Sequence, residues 1–450
     1  MKTNYTTLTK ANVYLRNQLA GHLEKVSPKK YVFEYSPEFI KLRGISIGLS
    51  LDISKIKFES DKLHPFFDNL IPEGWLLRHA EKVHKIDKDN RFAILLATGR
   101  EPVGAVRVIP VNENGKEIES EEHLNNDENE EIYEFATPKI KGFCTYCLKQ
   151  IVTATDKQNG FHQKCAKSMW GTTRKLKIAL NKTDPLDSFR KTIYGASISG
   201  AQPKGLFDLT HGTLRPSTNK AHYILKPPGD YDQLPENEHV TMIIAKELGF
   251  KVPDIGIFDS QAGRIFAIKR FDLIDGQQAR LEDIAQILRI PSEDKYESSN
   301  EKVAYVITHF SDIPKIDLID FWNRLLFCYL TANADMHLKN WSLLEMKTLK
   351  GLFSLSPCYD LLNTRLPIPK EKLDIGLTIN GKSSKLQWSY FKNFAKNELK
   401  IEDKTITAQK EKMESWYKTI EEKVTICCLD DAKKDQYLKI SKSRLDILLG

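Results

Sequence analysis

Between Phe321 and Asp360 the chain places two carboxylates and an amide where one reaction can use all three. A long apolar run, Phe321 through Leu330, reads as a buried helix because it is too long for a typical strand. It breaks into Asn333-Ala334-Asp335-Met336-His337-Leu338-Lys339-Asn340, in which Asp335 and Asn340 stand five positions apart. A carboxylate at the first of these positions can take the proton of an attacking hydroxyl, and an amide oxygen at the second can sit on Mg²⁺, as phosphoryl transfer requires. Ser356-Pro357-Cys358-Tyr359-Asp360 supplies the second carboxylate after a strand-like run, Gly351 to Leu355. Such a set suits ATP-bound magnesium. The same residues also fit a helix C-cap followed by a turn, and the rest of the chain decides between the two.

A second constellation has metal-ligand spacing. Cys144-x-x-Cys147 and His162-x-x-Cys165 form two pairs separated by residues 148–161, and each x-x spacing lets two side chains converge on one tetrahedral ion. Zn²⁺ binding is the expectation; a redox CxxC pair and unligated surface cysteines are the alternatives. With four protein ligands the site would be closed and structural, so no chemistry is assigned to it.

Upstream of the first constellation lie the pieces that would position a nucleotide. Ile193 to Lys204 is small, polar and turn-rich, and its Ser197-Ile198-Ser199-Gly200-Ala201-Gln202-Pro203-Lys204 can bring backbone N–H groups to phosphates, although many Ser-Gly loops are only loops. His222-Tyr223-Ile224-Leu225-Lys226-Pro227 is a strand ending on a lysine, where a protein kinase keeps its phosphate-pairing lysine. Glu236-Asn237-Glu238 opens a helix closed near Gly249. Glu238 is a candidate partner for Lys226, although the helix dipole favours acids there in any case. Val252 to Phe258 and Arg264 to Asp272 are two further strands, and from Asp283 the pattern is helical, apart from strands near Gly351 and Leu373. A sheet-rich half followed by a helix-rich half is an α+β arrangement of two lobes. Gly376-Leu377-Thr378-Ile379-Asn380-Gly381-Lys382-Ser383 also satisfies G-x-x-x-x-G-K-[ST]. That motif needs a buried strand before it, but Pro367 to Lys372 is charged and holds two prolines, and Asn380-Gly381 is a strong hairpin-turn signal. A P-loop is therefore disfavoured.

At 450 residues the chain calls for several domains, and its composition is that of an ordinary soluble protein. With no run of 18 apolar residues and no signal-peptide core at the start, the expectation is a cytoplasmic protein whose seven cysteines stay reduced. The net charge of +7 hides an acidic stretch, Glu113 to Glu134, and a basic one, Lys164 to Lys191. The basic stretch has no Arg-rich or aromatic-interleaved motif, so a solvated face is a better reading than a nucleic-acid surface. Near the start, residues 12–19 followed by Gly21 read as a strand, a turn and the next strand, Tyr31 to Tyr35 and Ile45 to Leu51 as further strands, Trp75 to Val83 and Arg91 to Thr98 as helices, and Val106 to Pro110 as a closing strand. Asn112 to Glu134 reads as a flexible linker and Thr172 to Asn181 as a basic helix.

With these residues assembled, the chain resembles the HipA-type kinases, toxins of HipBA-type toxin–antitoxin modules. Phe66-Phe67-Asp68-Asn69-Leu70-Ile71-Pro72 and Gly99-Arg100-Glu101-Pro102-Val103-Gly104-Ala105 resemble the family's small N-terminal subdomain. Ser197 to Lys204 resembles its phosphate loop, Lys226 its ATP lysine, and Asp335 to Asn340 with Pro357 to Asp360 its catalytic and metal-binding motifs. The implied fold is a two-lobed, protein-kinase-like α+β fold with a sheet-rich N-lobe and an all-helical C-lobe, preceded by a small α+β subdomain and a zinc-knuckle-like segment. On this resemblance residues 1–111 are the N-terminal subdomain, 112–138 an acidic linker, 139–171 the Cys3His segment, 172–310 the N-lobe and 311–450 the C-lobe.

The resemblance implies a serine/threonine kinase with ATP and Mg²⁺ as cofactors. Asp335 would be the base; Asn340 and Asp360 would hold Mg²⁺; Lys226 would orient the α- and β-phosphates with Glu238 as its partner. Ser199, Gly200, Ala201, Gln202, Pro203 and Lys204 would cover the phosphates. Lys269, Arg270 and Phe271 would form the adenine hinge with Asp272 near the ribose, and His337, Lys339 and Tyr359 complete the implied ATP-binding set. Ser197 and Ser199 are both candidates for the autophosphorylation that silences such kinases, since a phosphate there puts about two negative charges where those of ATP must sit. An aminoacyl-tRNA synthetase is the implied substrate and a HipB-like helix-turn-helix antitoxin the implied partner, with DNA reached only through the antitoxin and no membrane involved. The knuckle and acidic linker depart from the simplest members, and the N-terminal subdomain, separate in some relatives, is fused here. The competing reading is a zinc-ribbon nucleic-acid-binding regulator on an inactive kinase-like fold; the intact set of Lys226, Asp335, Asn340 and Asp360 argues against it.

Overall fold

A computed structural model describes every residue except 1–2, 44, 119–128, 139, 141, 193–195, 198–201, 218–220, 348 and 350. The N-terminal unit is an antiparallel five-stranded sheet in the order Lys57–Ser60, Lys30–Tyr35, Gln18–Ser27, Lys10–Leu15, Val106–Val111. Its inward side chains, among them Val13, Leu15, Leu23, Phe33 and Val108, meet helix Arg91–Thr98, which is buried from Phe92 onward. The segment 45–51, expected as a strand, forms only an isolated bridge between Gly48 and Leu51, and Lys57–Ser60 takes its place in the sheet. Side chains satisfy its backbone instead: the Ile47 N–H donates to Tyr35 Oη at 2.9 Å and the Leu49 N–H to both oxygens of Glu282, across the boundary to the rest of the molecule.

The second sheet has seven strands in the order Ile255–Ser260, Gly263–Lys269, Tyr223–Lys226, Gly205–Thr210, Thr213–Pro216, Lys177–Asn181, Glu130–Glu134, and only the pairing of Thr213–Pro216 with Lys177–Asn181 is parallel. Two expectations fail here. Residues 177–181 are a strand and not the end of a helix, because Leu176, Ile178 and Leu180 enter one core at a period of two. Residues 130–134, assigned to the linker, pair with them as the edge strand; their charged side chains are those an edge tolerates.

Helix Leu234–Glu247 crosses this sheet with twelve of its fourteen residues buried, so it is an internal element and not an amphipathic cover. Val240, Ile243 and Ile244 share one continuous core with Phe321, Trp322 and Leu326 of helix Pro314–Leu330 and with the later helices Trp388–Asn397, Met413–Ile426 and Asp431–Leu449. The C-lobe is not all-helical as expected: it carries a small sheet, Leu281–Asp283, Ser342–Glu345 and Phe353–Leu355, whose short strands pair across the start of the lobe. The strand near Gly351 is thus present. No strand forms near Leu373, and Ser342–Glu345, four residues straight after the polar cluster, was hidden by its brevity. No helix among the described residues is long and apolar enough to cross a membrane.

Candidate active site

Lys226 ends a central strand whose ladders to Gly205–Thr210 and Gly263–Lys269 fix its backbone on both sides. Its Nζ lies 2.5 Å from Glu238 Oε1 and 2.5 Å from Asp360 Oδ1. Burial alone would favour the neutral forms of all three groups. The two carboxylates overcome it at Lys226, whose ammonium is held above its ordinary value. Burial also raises the Asp360 carboxyl, but Lys226 and Lys204 reverse that and bring it down to about 2. For Glu238 burial prevails with help from Asp360, and its carboxyl is raised to about 7. Asp360 itself sits at φ +53°, a left-handed conformation unusual outside glycine. Strain and desolvated charge concentrated on one constellation mark a functional site more often than a structural one.

Helix Pro314–Leu330 ends at Thr331, and Ala332 at φ +58° turns the chain into the polar cluster. There Asn340 Nδ2 donates to the Asp335 carbonyl at 2.7 Å, the Asp335 N–H donates to Asn333 Oδ1 at 3.1 Å, and Asn333 Nδ2 donates to the Asp360 carbonyl at 3.4 Å. The two carboxylate motifs, distant in sequence, are thereby tied to each other. The cluster is no ordinary cap. Burial raises the Asp335 carboxyl, and the Tyr296 hydroxyl donates to its Oδ1. Gly376 lies against this loop so closely that a Cβ would stand 2.8 Å from the Met336 backbone.

A cleft of about 930 Å³, part of it open to solvent, runs between the lobes, lined by Lys204, Lys226, Arg270, Phe271, Asp272, Lys339, Asn340, Tyr359 and Asp360 among the residues singled out in sequence. Ile224, Ile268, Leu281 and Val103 give it an apolar end, and the Phe271 and Tyr359 rings stack across it at 5.8 Å. Burial of Lys204 pushes its ammonium down to about 8. Gln202, Pro203, Lys269, Glu238, Asp335 and His337 are not among the lining residues. Lys269 points away, its Nζ on the Ser168 carbonyl at 2.8 Å, and His337 is buried beneath Tyr296. Asp272 reaches the cleft with its carboxylate already engaged, accepting from Arg270 Nε and Nη2 at 3.0 and 2.6 Å and from the Gly104 N–H at 2.8 Å. It clamps the N-terminal unit to the hinge, which leaves little of it for a ribose. Ser199, Gly200 and Ala201 lie outside the described residues, as does the Ser197 side chain; the backbone of Ala196–Ser197 pairs with Glu101–Pro102.

Sequence reasoning missed the contribution of the N-terminal unit. Asn69, Leu70, Pro102 and Val103 line the cleft. Glu73, just ahead of helix Gly74–His84, pairs with Lys339 Nζ at 2.9 Å and with Lys295, and accepts from the Ser292 hydroxyl. Burial would raise its carboxyl, but the two lysines hold it well below its ordinary range. No local pattern announces a pairing across more than 200 residues; the only signal was a carboxylate beside the Pro72–Gly74 break.

The Walker-like match is a hairpin. Asn380 and Gly381 both have positive φ, and Ile379 and Lys382 exchange backbone hydrogen bonds at 2.8 and 3.0 Å, the geometry of a two-residue primed turn. Lys382 is exposed and its Nζ bonds Tyr390 Oη. Lys382→Ala is accordingly expected to change ATP affinity by no more than about twofold in a calorimetric titration, as for a surface substitution. A loss of binding would restore the P-loop reading.

The Cys144, Cys147, His162 and Cys165 ligand atoms lie within 4.8 Å of one another. Cys147 Sγ and Cys165 Sγ are 3.4 and 3.9 Å from His162 Nδ1. Ligands of one tetrahedral zinc stand about 3.6–3.8 Å apart, so the set fits that ion. His162 Nε2 meets the Gln150 carbonyl at 3.1 Å, the outer hydrogen bond that fixes a liganding imidazole. The knuckle is seated on the second sheet: a Cβ on Gly256 would be 2.4 Å from the Tyr146 ring, and Leu148 enters the core shared with helix Leu234–Glu247.

Comparison with known proteins agrees with this architecture. A family model described as the HipA-like C-terminal domain matches residues 196–425, and one described as the HipA N-terminal domain matches residues 11–109. "Putative kinase Y4dM" of Sinorhizobium fredii is 26% identical over 377 residues, covering 79% of this chain and 78% of that protein. A "Putative kinase" of Haemophilus influenzae is 34% identical over 191 residues, covering 39% of this chain and 54% of that protein. The structure of Shewanella oneidensis MR-1 HipA in complex with HipB and operator DNA superposes with a TM-score of 0.66 over 98% of this chain and 97% of that one, at 18% identity, which shows a shared fold. With both family models in order along a two-lobed kinase-like α+β fold, the chain belongs to the HipA family.

Proposed function

We propose that the chain is an ATP-dependent serine/threonine protein kinase and the toxin of a HipBA-type module. The observation that carries this reading is Lys226 held between Glu238 and Asp360, with Asn340 on the same cleft. Lys226 orients the α- and β-phosphates, and the loop ending at Lys204 covers them. Asn340 and Asp360 hold Mg²⁺, which neutralises charge on the phosphates when bound. Asp335 accepts the proton of the protein hydroxyl that attacks the γ-phosphate, and the apolar end of the cleft takes the adenine beside Phe271. Autophosphorylation falls on Ser197 or Ser199 and silences the kinase by charge repulsion. The physiological substrate is an aminoacyl-tRNA synthetase, and the partner a HipB-like antitoxin that brings the chain to operator DNA, as the Shewanella complex illustrates for its own components. The setting is the cytoplasm. The test follows γ-labelled ATP with Mg²⁺: label on protein serine or threonine supports the reading, whereas release only as inorganic phosphate opposes it.

Cys144, Cys147, His162 and Cys165 hold a structural Zn²⁺ in this reading. One zinc per chain is expected by elemental analysis, and its removal by a strong chelator, or Cys147→Ser, is expected to lower the melting temperature by roughly 5–10 °C. Purified and reconstituted protein that binds no zinc would remove the site.

A further inference from the structure

We infer that Tyr296 is a positioning residue for the Asp335 carboxylate, and that the N-terminal unit holds it in place through Glu73 and Lys295. The inference rests on the reading of Asp335 as the base.

The Tyr296 hydroxyl donates to Asp335 Oδ1, and among the described contacts Oδ2 accepts none, so one oxygen is anchored and the other is left to meet a substrate hydroxyl. An Asp carboxylate turns easily about its last torsion, which is broad and roughly two-fold. A single well-placed donor is enough to stop it. The backbone of the loop is fixed by Asn333 and Asn340, but neither touches the carboxylate.

Tyr296 is itself locked from several sides. Its ring meets buried His337 edge-on at 4.9 Å and lies 5.6 Å below Lys295 Nζ. The Lys295 ammonium pairs with Glu73, and the Lys295 carbonyl accepts from the Leu338 N–H at 3.1 Å, inside the catalytic loop. Three residues back, the Ser292 N–H donates to Asp68 Oδ2 at 3.0 Å, a second tie to the N-terminal unit. A plug that must leave before substrate enters would be anchored loosely, whereas this segment is bound to both the N-terminal unit and the loop it serves. The half-exposed tyrosine is a fixture at the mouth of the site. The route from the N-terminal unit to the base is therefore short: Glu73 to Lys295, then Tyr296 to Asp335.

The test measures initial rates of γ-phosphate transfer from Mg-ATP onto the full-length chain, at limiting and saturating ATP. Tyr296→Phe removes one exposed hydroxyl and should leave folding intact. It is expected to lower kcat roughly ten- to a hundredfold, the cost of a misaimed reacting group, with the KM for ATP within about twofold, since Tyr296 does not line the cleft. In an Asp335→Ala background the same change should lower the residual rate no further. Glu73→Gln should also lower kcat, and the Glu73→Gln/Tyr296→Phe pair should be no slower than the slower single variant. An unchanged kcat in Tyr296→Phe overturns the inference, as does a raised one, which would make the hydroxyl a block on the base. Wild-type activity in Glu73→Gln removes the link to the N-terminal unit. Full activity in Asp335→Ala instead overturns the underlying reading, and is distinguished from the other outcomes by that variant alone.

Discussion

Asp335→Ala is expected to lower phosphate transfer to protein by roughly 10²–10⁴-fold, the usual contribution of a positioned general base. ATP binding should survive, because Asp335 stands beside the cleft and not among its lining residues. The fold should survive too: Asp335 is half-buried, and the Asn340 side chain bonds its carbonyl, which alanine keeps. The variant thus separates chemistry from binding. Rates at saturating Mg-ATP, set against a calorimetric titration with ATP, would show the first falling and the second holding. A parallel loss of both would assign Asp335 a structural role.

Lys226→Met is expected to do the reverse and more. It removes the cation bonded to both buried Glu238 and partly exposed Asp360 and leaves only Lys204 nearby to offset them, and removing one partner of a buried pair costs about 3–5 kcal/mol. ATP affinity falls with it, since the same ammonium is the phosphate partner in the proposed reading. The loss should depend on pH. Glu238 in the folded chain is raised to about 7 from an ordinary 4.5, so the folded state holds the extra proton; this group favours folding below about 4.5, and that advantage is lost as pH rises through 7. Without Lys226 its carboxyl goes higher still. Denaturant melts of the two proteins should therefore differ most at pH 8 and least near pH 5.5. Asp360 acts in the opposite sense, its stabilisation present above 3.8 and lost towards 2, below the window of comparison. A deficit that grew on acidification would contradict the triad.

These groups were legible in sequence to different degrees, for physical reasons. Lys226, Glu238, Asp335, Asn340 and Asp360 could be found because each sits at a place that local pattern defines, such as the last residue of a strand, the first turn of a helix or the break after an apolar run. The Cys3His set was legible because ligand spacing is itself local. The strands at 130–134 and 177–181 were not, since an edge strand keeps charged side chains and a short run with lysines fits a basic helix until its alternation is matched to a core. Asp272 was placed near a ribose by resemblance, whereas the fold commits its carboxylate to Arg270 and Gly104. Glu73, Lys295 and Tyr296 carry no signature of their own. They acquire their roles only when the N-terminal unit packs beside the polar cluster, an event no window of sequence contains.

The N-terminal unit is part of the same chain as the two lobes and packs against both the hinge and the polar cluster. It supplies part of the cleft wall and an acid that holds Lys339, so it is built into the site and is not an appendage over it.

The most direct test of the central claim is peptide-mapping mass spectrometry of the purified chain after incubation with Mg-ATP, beside the Asp335→Ala variant. The predicted result is phosphate on Ser197 or Ser199 in the wild type and none in the variant. No phosphate on any serine or threonine of the wild type while ATP is bound, or equal phosphate in the two proteins, would contradict it.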